Sequence, residues 1–465
     1  MRMRIHFFGP AISVLICTPL ASAQVPPASG PTPSPDVAAT RPSNSEDKPT
    51  VTGQHDSQIP SDLRPFALVL PKGQLTGDWA GARTQLESRG ISPTLSLEID
   101  VAANPVGGKS QGITEASNLG LDLLLDLDKL AAIHDASFLL QVSERWGSSL
   151  SKEYIGNAFN VQQDFGGETV RLVDAAYQQK FLDDHLEFRL GRIAANDDFQ
   201  ISPYNYLFMQ NGFDGNPVGI YFNAPGMTAY PNATWGIVTK LRPTRRTYAM
   251  VGVYNGDPSI RSNDNHGTDF TMRGPVFVIA EAGLQLNGLP GDGPLLGNYK
   301  VGFWYDNATQ TVFGSTNTER GSFGVYGLFD QVLLPFGSPG SHRGLGVFGS
   351  ATFSTNPSVA QLPYFFTAGV AERGFFESRP SDICGIGFLY GRFSDDLRDA
   401  QQQEQLLTPS TVVQDYEFVT ELAYRFCFIN RSVYFQPDLQ YIIHPNGDDH
   451  IPNALVVGCR VAINF

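Results

Sequence analysis

The chain has 465 residues, with Lys+Arg 32 against Asp+Glu 46 and a formal net charge of -14 at pH 7. An acidic protein repels phosphate backbones, which argues against nucleic acid as a partner. Charged residues are only 17% while hydrophobic residues are 42%, with Gly 47 and Phe 32, so disorder over most of the length is excluded.

Arg2 and Arg4 give a basic start, Phe7 to Leu20 is mostly apolar, and Ala21-Ser22-Ala23 has the small residues of a signal-peptidase site. Pro10 and Pro19 break that apolar stretch, which is also shorter than the ~20 residues of a spanning helix. Residues 1–23 therefore read as a cleavable signal peptide for export. Cys17 would leave with it, and the odd set Cys384, Cys427 and Cys459 implies no disulfide framework. From 24 to 65 the composition turns to Pro, Ser, Thr, Asp and Ala, too poor in apolar surface to offset the entropy of ordering, so a flexible arm is expected. The folded unit is expected over 66–465. It opens with a predicted short helix over 76–89, capped by Thr76, with Trp79, Ala82, Arg83 and Leu86 on one side and Gly90 as its stop. Its expected place is the periplasmic mouth.

Beyond the arm no run of 18 apolar residues occurs, which excludes a helical membrane protein. The rhythm instead has a period of two. Leu95, Leu97, Ile99 and Val101 alternate with Thr94, Ser96, Glu98 and Asp100, and alternate residues of a strand face opposite sides. Leu119 to Leu127 and Leu186 to Leu190 repeat the scheme, as does the final segment from Ala454 to Phe465. Marking every such segment gives sixteen strands, beginning near Thr94, Asn118, Ala136, Glu168, His185, Thr234, Arg246, Val276, Asn298, Ser322, Gly344, Pro363, Asp382, Asp415, Ser432 and Ala454. Pro437 and the mixed pattern from Arg171 to Gln179 break the alternation, so irregular register is expected there. Several connections are tight, as at Pro243-Thr244-Arg245, and most of those between are long, as from Ala194 to Ala233. An even strand count with short turns on one side predicts a sixteen-stranded antiparallel transmembrane β-barrel. Closure is required because lipid satisfies no unpaired backbone group at a sheet edge. Sixteen strands leave an aqueous lumen, which makes the barrel a channel. A soluble sandwich would alternate as well, but acids recur on the polar face and Phe465 ends the chain on the apolar one.

Motifs for chemistry are weak. Gly108-Lys109-Ser110-Gln111-Gly112 spells an esterase elbow, but it lies between two strands where the elbow needs a strand and then a helix. It also resembles a phosphate-binding loop, with Ala103 where the first glycine must be. The eight histidines are scattered, without metal-ligand spacing. No enzyme, metal or cofactor is expected. Hydrogen bonding and stacking remain. The long segment from Ala194 to Ala233 carries Asp197, Asp198, Tyr204, Tyr206, Phe208, Phe213, Asp214, Tyr221, Phe222 and Tyr230. Folded into the lumen, it would narrow the bore and set acceptors and ring faces where a sugar could exchange water for hydrogen bonds and stacking. Arg189 and Arg192 precede it and are expected to face its carboxylates, and Glu98 and Asp100 are expected on the lumen wall. The alternative is that the rings form a headgroup girdle and the charges are simply solvated.

Leu75-Thr76-Gly77-Asp78-Trp79-Ala80-Gly81 with Arg83 and Leu86, Arg189-Leu190-Gly191-Arg192 running to Asp197-Asp198-Phe199, Gly252-Val253-Tyr254-Asn255-Gly256, and Gln436-Pro437-Asp438-Leu439-Gln440-Tyr441 through Asn446-Gly447 resemble the OprB-type carbohydrate-selective porins. The resemblance covers about Leu75 to Phe465 in the family's order. It implies an outer-membrane barrel in a Gram-negative envelope that passes mono- and oligosaccharides by diffusion through a narrow polar constriction of inward-folded loops. It also makes Pro437 a family feature. The Pro-rich arm departs from the pattern, and Asp214 stands where many relatives carry a cysteine. Expected partners are transported sugars, outer-membrane lipid and the barrel assembly machinery, through the strand ending in Phe465. The oligomer is left as monomer or homotrimer, and a general or cation-preferring pore is the alternative function.

Overall fold

A computed structural model describes residues 73–213, 217–287, 293, 295–337 and 343–465. The predicted signal peptide and arm, and Asp214, lie outside the described residues. Sixteen strands pair antiparallel, each with its sequence neighbours, and β1 closes on β16. They are β1 (Ile91–Val106), β2 (Ile113–Asp126), β3 (Ala136–Gly147), β4 (Val170–Phe181), β5 (Leu186–Ile193), β6 (Thr234–Thr244), β7 (Thr247–Asn255) and β8 (Val276–Leu286). The second half comprises β9 (Gly297–Thr311), β10 (Thr318–Phe336), β11 (Arg343–Ser354), β12 (Tyr364–Arg373), β13 (Ile383–Arg392), β14 (Tyr416–Phe428), β15 (Val433–Ile443) and β16 (Ala454–Asn464). The predicted strands are all present. The largest displacement is at β2, which begins at Ile113, where the alternation is masked by Thr114 and Ser117.

Burial shows which way each face points. On β1, Thr94, Ser96, Asp100, Ala102 and Asn104 are buried, while Leu95 is exposed. Leu121, Val301, Phe303, Phe323, Phe329, Phe366 and Leu439 are likewise exposed. Inside is polar and outside is oily, the reverse of a water-soluble fold and the arrangement a barrel needs in lipid. The register irregularities fall where the alternation broke. The β3–β4 ladder shifts between Leu140 and Val142, opposite Arg171 to Ala175. Pro437 keeps register with Cys459 on β16, but the β14–β15 ladder is interrupted between Ala423↔Asp438 and Phe426↔Phe435, because proline brings no N–H to it.

Ahead of β1, α1 (Ala82–Ser88) starts later than predicted. Its cap is Gly81, at φ 95, a left-handed conformation that glycine adopts without strain. Asp78 supplies the side-chain acceptor by receiving the Thr84 N–H at 2.8 Å, while Thr76 accepts from the Trp79 indole at 2.8 Å. The buried Arg83 guanidinium lies over the Trp79 ring and donates to the Phe465 carbonyl at 3.0 Å, tying the segment to the end of the chain. This end of the barrel, with the start of β1 and the end of β16, is called the terminal rim below, and the opposite end the far rim. Among the described residues two α-helices were not predicted: α2 (Leu127–Ala131) in a terminal-rim turn, capped by Asp126, and α3 (Asp395–Leu407) in the far-rim β13–β14 loop, capped by Ser394. Both are local structures set by their caps.

Candidate constriction of the lumen

Two far-rim loops fold inward. The β5–β6 loop crosses the lumen, and the wall groups it meets hold it by its backbone. Glu281 on β8 accepts the Gln200 N–H at 2.9 Å, Asp306 on β9 accepts that of Gly226 at 2.6 Å, and Glu421 on β14 accepts that of Met209 at 2.6 Å. In the other sense, Lys300 donates to the Ile201 carbonyl at 2.6 Å and Gln436 to that of Leu207 at 2.7 Å. The β3–β4 loop is seated the same way. Glu417 accepts the N–H groups of Ala158 and Phe159, and that of Asn446 from the β15–β16 connection, and Gln162 donates to the Asp100 carbonyl at 3.0 Å. The loops also bond each other, Asn211 N–H to the Asn160 carbonyl at 2.8 Å. A carboxylate facing a buried amide is a strong acceptor and satisfies a group that lipid or a dry interior would leave costly.

Apolar side chains complete the seating. Phe159, Tyr204, Leu207, Phe208, Met209 and Phe213 of the loops pack with Phe348, Phe365 and Leu389 of the inner wall. A second cluster joins Phe199, Ile201 and Ile220 to Tyr254, Phe277, Trp304 and Tyr326.

The predicted site residues separate accordingly. Arg189 points inward from β5 and bonds both Asp198 oxygens at 3.0 Å, with its other nitrogen on Asp174 of β4. Arg192, an odd number of positions along the same strand, points to the outer face. It is buried there against the Leu172 and Asp269 carbonyls and does not meet the loop carboxylates, a correction that follows from period two. Asp197 is buried beside Asp174, Arg189 and Asp198. Burial in that company pushes its carboxyl well above the ordinary range, and burial also raises that of Asp198, against the pull of Arg189. Tyr204 stacks on Phe348 at 5.8 Å and Phe213 tilts on Phe208 at 4.5 Å. Both are buried, so protein occupies the ring faces that were expected to meet sugar. Tyr206 is half-buried and its carbonyl accepts from Arg425 at 2.7 Å. Glu98 and Asp100 face the lumen and share one cation. Arg460 of β16 grips Asp100 at 2.6 and 2.8 Å and reaches Glu98 at 3.1 Å, while the Tyr434 hydroxyl donates to Glu98 at 2.7 Å.

Sequence reasoning missed Arg460, Arg145, Lys240 and Arg425, all inward by their alternation. Three of them lie over lumen rings: Arg145 over Tyr230 at 5.0 Å, Lys240 over Tyr248 at 4.6 Å and Arg425 over Tyr434 at 4.2 Å. Ser110 sits in the connection between β1 and β2, with its N–H on the Tyr154 carbonyl, and no helix follows to form an elbow.

The model of the carbohydrate-selective porin, OprB family, matches residues 110–465. The chain belongs to that family. It is an outer-membrane porin, a channel for the diffusion of carbohydrates. Porin B of Pseudomonas aeruginosa is 28% identical over 437 residues, covering 84% of this chain and 91% of that protein. A putative porin, QuiX, of Acinetobacter baylyi is 28% identical over 426 residues, covering 84% and 93%. The high-pH structure of Pseudomonas putida OprB superposes with a TM-score of 0.78 at 26% identity, covering 85% of this chain and all of that one.

Proposed function

We propose that this porin selects mono- and oligosaccharides at a constriction whose arginines are each held between two carboxylates, forming a rail of hydrogen-bonding groups. The observation that carries this reading is that Arg189 and Arg460 are each held by two carboxylates. Arg189 lies between Asp174 and Asp198, and Arg460 between Glu98 and Asp100. Paired ions give a neutral polyol charge-assisted donors and acceptors without the field that draws in salt. In this reading Asp198 and Glu98, the part-exposed members of the two groups, contact sugar, and the buried Arg189 and Asp100 hold them in place. Tyr206 stands at the edge of the path, whereas Tyr204 and Phe213 shape it from beneath. Residues 1–23 act as the cleaved export signal, and the strand ending in Phe465 presents the chain to the barrel assembly machinery.

Liposome swelling with glucose, beside the reversal potential under a KCl gradient, tests the selectivity. Fast glucose entry with a potential near zero is the expected result. Exclusion of glucose, or a strong cation preference of the kind the net charge alone would favour, overturns it in favour of a general cation-preferring pore.

A further inference from the structure

Among the described residues, Arg373 is an inward cation without a partner. Arg373 is the last residue of β12 and is buried, yet its Nε and Nη1 make no hydrogen bond and it joins no ion pair among the described residues. The ladder fixes its direction. It registers with Ile383 on β13, and Ile383 packs against the lumen cluster and registers in turn with Arg425 on β14. Arg373 and Arg425 therefore lie in one inward row, two strand spacings or about 10 Å apart. The charged or titratable groups acting on Arg373 are Arg431, in the turn after β14, and the Cys427 thiol. Among the described carboxylates nearby, Asp382 is already occupied by Arg379, the Tyr424 hydroxyl and the Cys427 N–H, Glu377 reaches Arg343 at 3.8 Å, and Glu372 accepts from Cys384 at 3.3 Å. Arg425 is held by Gln436 and the Tyr206 carbonyl, so it adds charge without drawing a carboxylate toward Arg373.

A buried guanidinium without a counterion is costly, because each desolvated donor forfeits water and gains nothing in return. Its planar fork suits the oxygens of a carboxylate or a phosphate. We propose that Arg373, flanked by Arg425 and Arg431, is an oxyanion-binding station at the terminal rim of the lumen. It would take the carboxylate of a sugar acid or the phosphate of a sugar phosphate. This rests on the channel reading and extends it from neutral sugars to acidic ones. At the constriction Arg189 and Arg460 are each held between carboxylates and a neutral sugar passes, whereas here a positive charge is left over and an anionic solute is held on its way through.

The full chain is reconstituted in planar bilayers and small-ion conductance is titrated with gluconate, with glucose 6-phosphate and with inorganic phosphate. Block by gluconate assigns the carboxylate source, and block by glucose 6-phosphate and phosphate the phosphate source. Arg373→Gln should raise the half-blocking concentration of the effective anion at least about tenfold. Arg373→Lys should restore part of the affinity, since it keeps the charge and loses the fork. Arg431→Gln, at a half-buried position in the turn after β14, should weaken block by less and serves if the Arg373 variant fails to assemble. Glucose entry in swelling assays should be the same in every assembled variant, which separates this station from the constriction. Equal half-blocking concentrations in wild type and variants, or no block by any of the three anions, overturn the proposal.

Discussion

Glu417→Gln isolates the way the wall holds the loops. Glu417 Oε2 receives the N–H groups of Ala158, at 2.7 Å, and Asn446, and Oε1 receives that of Phe159 at 3.1 Å. Hydrogen bonds to a charged group contribute about 1.5–3 kcal/mol each and neutral ones about 0.5–1.5 kcal/mol. Glutamine keeps the shape but has one acceptor oxygen. Aimed at Ala158 and Asn446, it retains two neutral bonds and turns an amide donor toward Phe159. Three bonds of about 2 kcal/mol become two of about 1 kcal/mol, a loss of about 4 kcal/mol in the local stability of the loop seat. The barrel ladders are untouched, so the loss appears as local opening rather than unfolding. At about 1.4 kcal/mol per tenfold change, amide exchange over 157–160 and at Asn446 should accelerate by about 10²–10³. Exchange mass spectrometry on the detergent-solubilised porin measures this, with strand peptides from β1 and β16 as the unchanged reference. Unaltered exchange over 157–160 in an intact barrel would show that the carboxylate does not hold the loop.

Other outcomes follow from the same geometry. Arg189→Ala leaves Asp174 and Asp198 buried without their cation, and breaking such a pair costs about 3–5 kcal/mol; sugar block of conductance should weaken and exchange over 196–199 should rise, and retention of both wild-type values would refute the clamp. Asp197 sits on the loop with a carboxyl raised well above its ordinary 3.8 by burial. The folded state then holds more protons than the unfolded one from about 3.8 up to the raised value, so the loop root is most stable below that window and loses stability as pH rises through it. Asp174, Arg189 and Asp198 are the charged groups that face it. Current noise in single-channel records should therefore grow with pH in wild type and grow less steeply in Asp197→Asn, where Asp198 remains raised on the loop, and equal slopes would sink the assignment. Phe208→Ala removes a fully buried ring between Phe213 and Phe348, at a cost of about 3–5 kcal/mol, and should give a wider and noisier pore; unchanged single-channel conductance and noise would count against the packing.

The wall was legible because lipid and water impose a period of two on each strand, and Leu95 against Thr94 or Val457 against Arg460 declares its face locally. Contacts around the ring were not legible, because parity gives a face and no register between distant strands. Asp100 and Arg460 are 360 positions apart in sequence and meet only because β1 closes on β16. Arg189 and Asp198 were recoverable because nine residues separate them across the root of one loop. Arg192 was misplaced when proximity in sequence was allowed to override the parity that assigns it to the other side.

The buried aromatics show what a closer reading of the same alternation would have found. Trp304, Tyr326, Phe348 and Phe365 occupy inward positions on four consecutive strands, β9 to β12, and are buried. A wall facing water has no use for four large rings, so that sector had to be covered by something apolar. In this chain the long segment rich in Phe, Tyr, Ile and Met between β5 and β6 provides that cover. Its rings are thus drawn to the wall, and the inward positions of the opposite sector, from β1 through β4 and on β16, are mainly polar. The acids divide by the same logic. Beneath the loops, as at Glu281, Glu417 and Glu421, they accept backbone amides, and away from them, as at Glu98, they pair with arginine.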